Sequence, residues 1–457
     1  MSNKITRRAM LKASAVAGAG ILFLPRNILA QGQSPNDKLN VALVGVGNQG
    51  GFQVNGMETT RQNVVAICDV DDRMLNQRKA VEKFPRAKVF KDFRKMYDEM
   101  LSEIDAVCVS VPDHTHFPIA IQAIRNKKHV YLEKPMAHSV AECRILTEET
   151  AKYGVATQLG CQRHILNGMV NAVKVIKSGA IGDVTEVYSW IRDPRGMPTL
   201  PEKTVAPPAE LDWQLWLGPS PDYDYSVFTD DKGNEQPCHA PYNWRFWWDF
   251  GTAETGNWGC HILDIPYWAL DLKYPVKVSA SGDPIDPQRT SKEIHCTFVY
   301  PKRGNLPEVT LHWEGAKEPS CYAKYGLAGK RFPNGLGGQM SINDVNNLFI
   351  GTKGMMVAGF NGYALLPEDK FIEFQHPEKK PISPGFHQEW VDACKGGKPA
   401  TCNFAYSGPM AETLLLGNTA FRAGHKSFDW NAEKMEAVNC PEVQAMLKPE
   451  LRKGWGY

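Results

Sequence analysis

From Asn40 onwards, short and uninterrupted apolar runs alternate with polar, amphipathic segments. The runs are NVALVG (40–45), VVAICD (64–69), DAVCVSVP (105–112), HVYLEKP (129–135) and VATQLG (155–160), all rich in β-branched residues. Between them, segments such as MLNQRKAVEKF and AECRILTEETAKY carry the spacing of surface helices. Strands that are apolar throughout fit a parallel sheet covered on both faces by helices. Residues 37–160 are therefore predicted to form one α/β domain.

After Cys161 the pattern changes. One helix (ILNGMVNAVKVIKSG) precedes runs of β character, VTEVYSWIR, VKVSASG, EIHCTFVY, EVTLHWEG and NLFIGTKGMMVAG, with a Pro- and Trp-rich stretch from Asp193 to Phe250 between the first two. Strands without intervening helices predict an α+β domain, 161–457, built on a large open, mostly antiparallel sheet. FHQEWVDACKGGKPA and MAETLLLGNTAFRAG read as two amphipathic helices near its end. No repeat or low-complexity linker interrupts the chain, so the boundary near 160 is a change of pattern and not a gap.

The first thirty residues stand apart. Thr6-Arg7-Arg8-Ala9-Met10-Leu11-Lys12, an apolar run from Ala13 to Leu24 and then Ile28-Leu29-Ala30-Gln31 make a charged start, a short apolar core and a small residue before a cut. The run is too short to span a bilayer core of roughly 30 Å, so a cleaved export peptide is expected and not a stable membrane anchor. The paired arginines resemble the signal read by the twin-arginine (Tat) export machinery, which would place the protein in the periplasm of a Gram-negative cell.

That segment also explains the charge. Five of the 52 basic residues lie in it with no acid, which leaves 47 basic against 50 acidic residues in the remainder, a net −3. Such a surface offers no reason to expect nucleic acid as a partner. The eleven cysteines include no CxxC pair, and Cys68, Cys108 and Cys161 read as small buried hydrophobes.

Gly45-Val46-Gly47-Asn48-Gln49-Gly50 follows a predicted strand and opens a predicted helix. Gly45 suits the tight turn, Gly47 lets the backbone approach a pyrophosphate, and Gly50 lets helix and strand pack closely. Free N–H groups at the helix start would receive the phosphates. Asp69 ends the next strand nineteen residues past Gly50, where a carboxylate accepts from ribose hydroxyls and repels a 2′-phosphate. These features predict a Rossmann domain binding NAD rather than NADP, with Arg73 the one nearby cation arguing the other way. Val111-Pro112-Asp113-His114-Thr115-His116 and Glu133-Lys134-Pro135 close two further strands at the same ligand-binding edge.

Together GVGNQG, the VPxxxH pattern ending at His116 and the EKP tripeptide resemble the Gfo/Idh/MocA oxidoreductase family. The likeness continues through Trp247-Trp248-Asp249-Phe250-Gly251 and Gly259-Cys260-His261-Ile262-Leu263-Asp264. It implies a cofactor site made by Gly45, Gly47, Asn48, Gln49, Gly50, Asp69, Pro112, His116, Glu133, Lys134 and Gln162. It also implies that Lys134 polarises a substrate hydroxyl and that His261 takes its proton, work suited to a neutral imidazole. Where relatives carry an aspartate four residues before the histidine this chain has Asn257, which can orient but cannot accept a proton. Arg163, Trp244, Arg245 and Asp264 are the candidate substrate contacts, with Asp249 an open one.

Eight of the twelve tryptophans lie between Trp190 and Trp268, where indole faces suit sugar C–H faces, although most are expected in the core. His114, His116, Cys161 and His164 are the only set resembling metal ligands, and no acidic or cysteine pair completes it, so no metal is expected. Three functions follow: an NAD-dependent oxidoreductase acting on a sugar, glycoside or polyol hydroxyl with tightly held cofactor; a glycoside hydrolase working by oxidation, elimination and reduction; and a non-catalytic sugar binder. The resemblance further implies a homo-oligomer.

Overall fold

The computed structural model describes residues 38–456, so the predicted export segment lies outside the described residues. Six strands, β1 (Asn40–Val44), β2 (Asn63–Cys68), β3 (Lys88–Phe90), β4 (Ala106–Val109), β5 (His129–Leu132) and β6 (Thr157–Leu159), form a parallel sheet in the order 3-2-1-4-5-6. All four residues of β4 and the last three of β5 are buried, which is why these strands read as unbroken apolar runs. The order reverses between β1 and β4, and ligands bind at the carboxyl ends of strands beside such a switch point. Gly45–Gly50, Asp69, Pro112 and Glu133–Lys134 all stand at that edge. The short β3 was not visible as an apolar run, because Lys88 and Val89 are exposed.

The second sheet is built from β7 (Val184–Ile191), β11 (Lys277–Gly282), β12 (Ile294–Tyr300), β13 (Val309–Gly315), β16 (Asn347–Gly351), β17 (Gly354–Gly359), β18 (Gly362–Leu366), β19 (Ser427–Asn431) and β20 (Glu436–Val438). Their order is 18-17-16-7-13-12-11-19-20. Every pairing is antiparallel except β7 with β13. Short strands β8 (Lys203–Thr204), β9 (Ser226–Thr229) and β10 (Glu235–Pro237) make a separate ribbon, and β14 (Arg331–Pro333) pairs with β15 (Gln339–Ser341). The run NLFIGTKGMMVAG is two strands, β16 and β17, turning at Thr352–Lys353.

The chain does not finish with the first sheet at residue 160. The amide of Leu159 donates to the carbonyl of Cys402 at 2.9 Å, that of Phe404 to Thr157 Oγ1 at 3.0 Å, and that of Cys402 to Gln158 Oε1 at 3.1 Å. The helix Phe404–Arg422 then packs on a helix of the first domain and on the second sheet: Arg144 of the helix Val140–Tyr153 donates to Glu412 at 2.9 and 2.8 Å, while a Cβ on Gly417 would stand 2.7 Å from Cys296 Sγ of β12. The helix Phe386–Cys394 lies against Gly50–Thr60, where a Cβ on Gly56 would meet the His387 ring at 2.4 Å. One apolar core therefore runs through both sheets. All eleven cysteines are free thiols. Among the described residues no helix is long and apolar enough to cross a membrane.

Candidate functional site

Gly45 leaves β1 in the left-handed region (φ +78°), and a Cβ there would lie 2.3 Å from the carbonyl oxygen of Ser110. A Cβ on Gly50 would lie 2.3 Å from the carbonyl of Gly45, so strand, turn and helix can close up only around bare backbone. Asn48 also adopts a positive φ of 43°, and its amide donates to Gln77 Oε1 at 2.7 Å. The turn opens directly into the helix Gly50–Thr60, whose first N–H groups carry partial positive charge.

Asp69, past the end of β2, accepts from the amide of Val46 at 3.0 Å and from that of Asp71 at 3.1 Å. Burial raises its carboxyl to about 6 against these bonds. Arg73 donates from Nε and NH2 to the two oxygens of Asp71, at 2.8 and 2.6 Å. Its guanidinium is thus already matched to a carboxylate, and Asp69 keeps the ribose position acidic.

These groups line a solvent-open cleft that runs from Asp69 and Met74 past Gly47, Asn48, Gln49 and Pro112 to Glu133, Lys134, Trp244 and Arg245. The Trp-rich segment covers part of it. The amide of Asp212 donates to the carbonyl of Val70 at 2.9 Å, that of Asp72 to Glu210 at 3.2 Å, and Leu211, Leu215 and Trp216 face the cleft. Near the chain end, Trp455 joins the wall, with the Arg94 guanidinium 4.5 Å from its ring. A glycine-rich turn, a helix start and a buried carboxylate just past the next strand fit a dinucleotide, and the cleft wall also holds Ser110, whose buried hydroxyl has no partner among the described residues.

Lys134 joins this cleft to a second group of residues. Its Nζ donates to Asn257 Oδ1 at 2.6 Å, and Asn257 Nδ2 donates to Glu254 Oε2 at 2.9 Å. Glu254 is buried and pairs with Arg195, which also donates to the Tyr242 hydroxyl. Beside Lys134, Glu133 Oε1 accepts from Gln53 at 2.9 Å and Gln162 at 2.6 Å, and burial raises its carboxyl to about 7. Asp113 accepts from Thr252 Oγ1 at 2.7 Å, and burial raises it to about 6 against the charges of Lys134 and Arg245.

His261 is 9% exposed and its Nδ1 is buried without a partner. Burial, then the charges of Lys134 and Arg163, push its pKa well below the usual histidine value, so the ring is neutral. The segment carrying it is three short helices, Ala253–Asn257, Gly259–Ile262 and Asp264–Leu270. It is pressed against Phe404–Arg422 so closely that a Cβ on Gly259 would stand 2.6 Å from Leu414.

Several predicted residues stand elsewhere. His116 does not face the cleft: its ring lies between the carbonyls of Pro135 (2.7 Å) and Val111 (2.8 Å), tying the two strand-end loops together. Both His114 and His116 belong to the helix Asp113–Arg125 and not to a strand end. Asp264, expected at the substrate, is fully buried; it contacts His164 Nδ1 at 2.9 Å and accepts from the Tyr406 hydroxyl at 2.5 Å. Asp249 is engaged by Tyr223. Trp213, Trp216, Trp244, Trp247 and Phe250 form a cluster of their own, of which Trp216 and Trp244 reach the cleft. His164, Asp264 and Cys402 bring ligand-type atoms within 4.8 Å of one another, yet the first two already satisfy each other.

Sequence reasoning did not select Glu254, Arg195 or Asp113. Glu254 had a legible signal, since it stands three residues before Asn257 on one short helix. The partner of Glu254, 59 residues away, had none.

Residues 39–161 match the model of an oxidoreductase family with an NAD-binding Rossmann fold. The chain is 28% identical over 162 residues to an inositol 2-dehydrogenase of Rubrobacter xylanophilus, covering 35% of this chain and 45% of that one. It is 25% identical over 199 residues to a glycosyl hydrolase family 109 protein of Solibacter usitatus, covering 40% and 45%. The chain thus spans less than half the length of these curated relatives. Among solved structures, GenD2 from gentamicin A biosynthesis, in complex with NAD, superposes with a TM-score of 0.54 at 18% identity, over 89% of this chain and 100% of that one.

Proposed function

We propose, on the premise that residues 39–161 form the NAD-binding domain of an oxidoreductase, that the chain oxidises a CH–OH group of a sugar, glycoside or polyol with NAD kept in place. The observation that carries this reading is Lys134, which lines the nucleotide cleft and is bonded into the group containing Asn257, while burial and then the Lys134 charge disfavour protonation of His261. In the reaction the carbon gives up a hydride, the hydroxyl gives up a proton, and a carbonyl forms; bound NAD supplies the hydride acceptor.

The protein's own residues handle the proton. An ammonium has three N–H groups, so Lys134 keeps two after donating to Asn257 and can polarise the hydroxyl. Glu254 fixes the Asn257 amide with its oxygen toward Lys134, which leaves His261 as the neutral base. Gly45, Gly47, Asn48, Gln49 and Gly50 would hold the pyrophosphate and Asp69 the adenosine ribose.

A second reading, glycoside hydrolysis by oxidation, elimination and reduction, is supported by the cover that Leu211, Leu215, Trp216 and Trp455 make over the cleft, which suits a cofactor recycled in place. The family 109 glycosyl hydrolase relative points the same way. We further propose export by the twin-arginine route, to the periplasm in a Gram-negative cell, and a homo-oligomeric state; fractionation and light scattering test these.

The test of function starts from the purified protein. Denaturation should release NAD or NADH, and mixing with a panel of sugars and glycosides should change absorbance at about 340 nm in the parent but not in Lys134→Ala or His261→Ala. Sugar release without lasting reduction selects the hydrolase. No nucleotide and no response to any sugar would remove both readings.

A further inference from the structure

Each cation around Lys134 can be asked what balances it. Arg195 has Glu254, and Lys134 has Asn257. Arg245 has the carbonyl of Tyr242 at 3.0 Å and the nearby charge of Asp113. The Arg163 guanidinium has no hydrogen bond and no ion pair with any described residue. Its guanidinium lies 4.4 Å from the Phe360 ring centroid and 5.3 Å from that of Trp258.

The local fold holds Arg163 there from both sides in sequence. Gln162 is anchored to Glu133 and to the Tyr131 hydroxyl, and His164 to Asp264, within the 3-10 turn Gln162–Ile165. The residue is half-buried, and loss of water lowers its pKa with no acid to offset it. Aromatic rings hold the group but leave its N–H edges open, and a guanidinium presents five such donors in a planar fork. That fork matches a carboxylate through two parallel bonds.

We infer that the substrate is an acidic sugar whose carboxylate is received by Arg163. The inference rests on the oxidoreductase reading above. The Trp258 ring stands 5.3 Å from the Arg163 guanidinium and 6.0 Å from the His261 ring, so the carboxylate would sit one ring away from the group proposed to take the hydroxyl proton. The anion also supplies the balancing charge that Arg163 lacks. The cofactor's phosphates do not serve here, since they belong to the glycine turn, and Arg163 is absent from the lining of that cleft.

The experiment compares matched pairs on the protein as purified with its nucleotide: methyl glucuronide against methyl glucoside, and methyl galacturonide against methyl galactoside, with glucose 6-phosphate as a third arm. Rate of change at about 340 nm and quenching of tryptophan fluorescence are read separately. At least one uronide should exceed its neutral partner by roughly 10- to 100-fold in kcat/KM, the range expected for a charged hydrogen-bonded pair. Arg163→Met should collapse that ratio toward one, and Arg163→Lys should restore only part of it, with thermal melts confirming that both fold. Equal turnover of acidic and neutral sugars, a preference for the phosphate, or a uronide preference untouched by Arg163→Met would overturn the inference and leave the oxidoreductase reading standing. If no sugar changes the absorbance but uronides still quench fluorescence through Arg163, the oxidoreductase reading fails and the carboxylate site survives; with neither signal both fall.

Discussion

Lys134 and Asn257 meet across 123 residues of sequence through a single bond, Nζ to Oδ1 at 2.6 Å. Asn257 in turn donates to Glu254 at 2.9 Å, so a buried carboxylate lies two bonds from the cation that closes the nucleotide cleft. Glu254, three residues before Asn257 in the chain, is the carboxylate of this group and is paired with Arg195. Through the amide, Glu254 fixes the oxygen to which Lys134 Nζ donates.

Asn257→Leu removes both bonds at once. Hydrogen bonds to charged groups contribute about 1.5–3 kcal/mol, so kcat should fall by about 10- to 100-fold while the affinity for NAD stays within a few-fold. Asn257→Asp places a second carboxylate beside Glu254, and the pair should share a proton. Its pH–rate profile should then show an ionisation missing from the parent. Steady-state kinetics on both variants decides this, and a parent-like profile for Asn257→Asp would show that Glu254 is not coupled to Lys134.

Cofactor choice depends on Asp71 as well as Asp69. Asp71 holds Arg73 by two side-chain bonds and also accepts from the amide of Arg73 at 3.0 Å as the N-cap of the helix Asp72–Gln77. Asparagine caps as well as aspartate but pairs poorly with guanidinium. Asp71→Asn should therefore free Arg73 for a 2′-phosphate and raise the affinity for NADP about tenfold relative to NAD, measured by nucleotide titration of the stripped protein. An unchanged ratio would mean that Asp69 alone sets the preference.

Much of this site could be read from the chain because its parts are local. Gly45–Gly50 and Asp69 lie within one strand–helix–strand unit, and β1, β2, β4 and β5 announce themselves by unbroken apolar runs that only a doubly covered sheet needs. What escaped depends on contacts distant in sequence. The pairing of Leu159 with Cys402 brings the chain back to the first sheet after more than two hundred residues, and no pattern at either end signals it. Asp264 was expected to face substrate because His261 stands three residues before it. The irregular helix between them turns it instead toward His164, 100 residues away. Strands β19 and β20 are short and half-exposed, so their apolar signal is weak.

Asp113 gives a stability test with a defined sign. Burial raises its folded pKa from the ordinary 3.8 to about 6, so its ionisation opposes folding. The associated stability is present below pH 3.8 and is lost as pH rises to about 6. Asp113→Asn keeps an oxygen acceptor for Thr252 and removes the buried charge. Its stability advantage over the parent should grow by about 1 kcal/mol between pH 5 and pH 8, from the linkage of proton binding to folding. Denaturant unfolding of both proteins at the two pH values measures it. An advantage that shrinks as pH rises would mean that Lys134 and Arg245 hold the carboxylate ionised in the folded protein.

Retention of the nucleotide is tested at Trp455. This residue is 9% exposed, packs 6.2 Å from Phe93 between ring centroids and has the Arg94 guanidinium 4.5 Å from its ring. Arg452, three residues earlier, anchors the tail to the cover by donating to Gln214 Oε1 at 2.7 Å. Replacing Trp455 by alanine removes a wall of the cleft without touching the glycine turn, Asp69, Lys134 or His261. Bound nucleotide should then leave at least about tenfold faster when chased with excess unlabelled NAD, a change of about 1.4 kcal/mol. Single-turnover reduction of the nucleotide already bound should keep the parental rate, because the proton-handling residues are undisturbed. Unchanged release would assign retention to the strap around Leu211 and Trp216 alone. A loss of the single-turnover rate would show instead that the tail holds the nucleotide in register with Lys134.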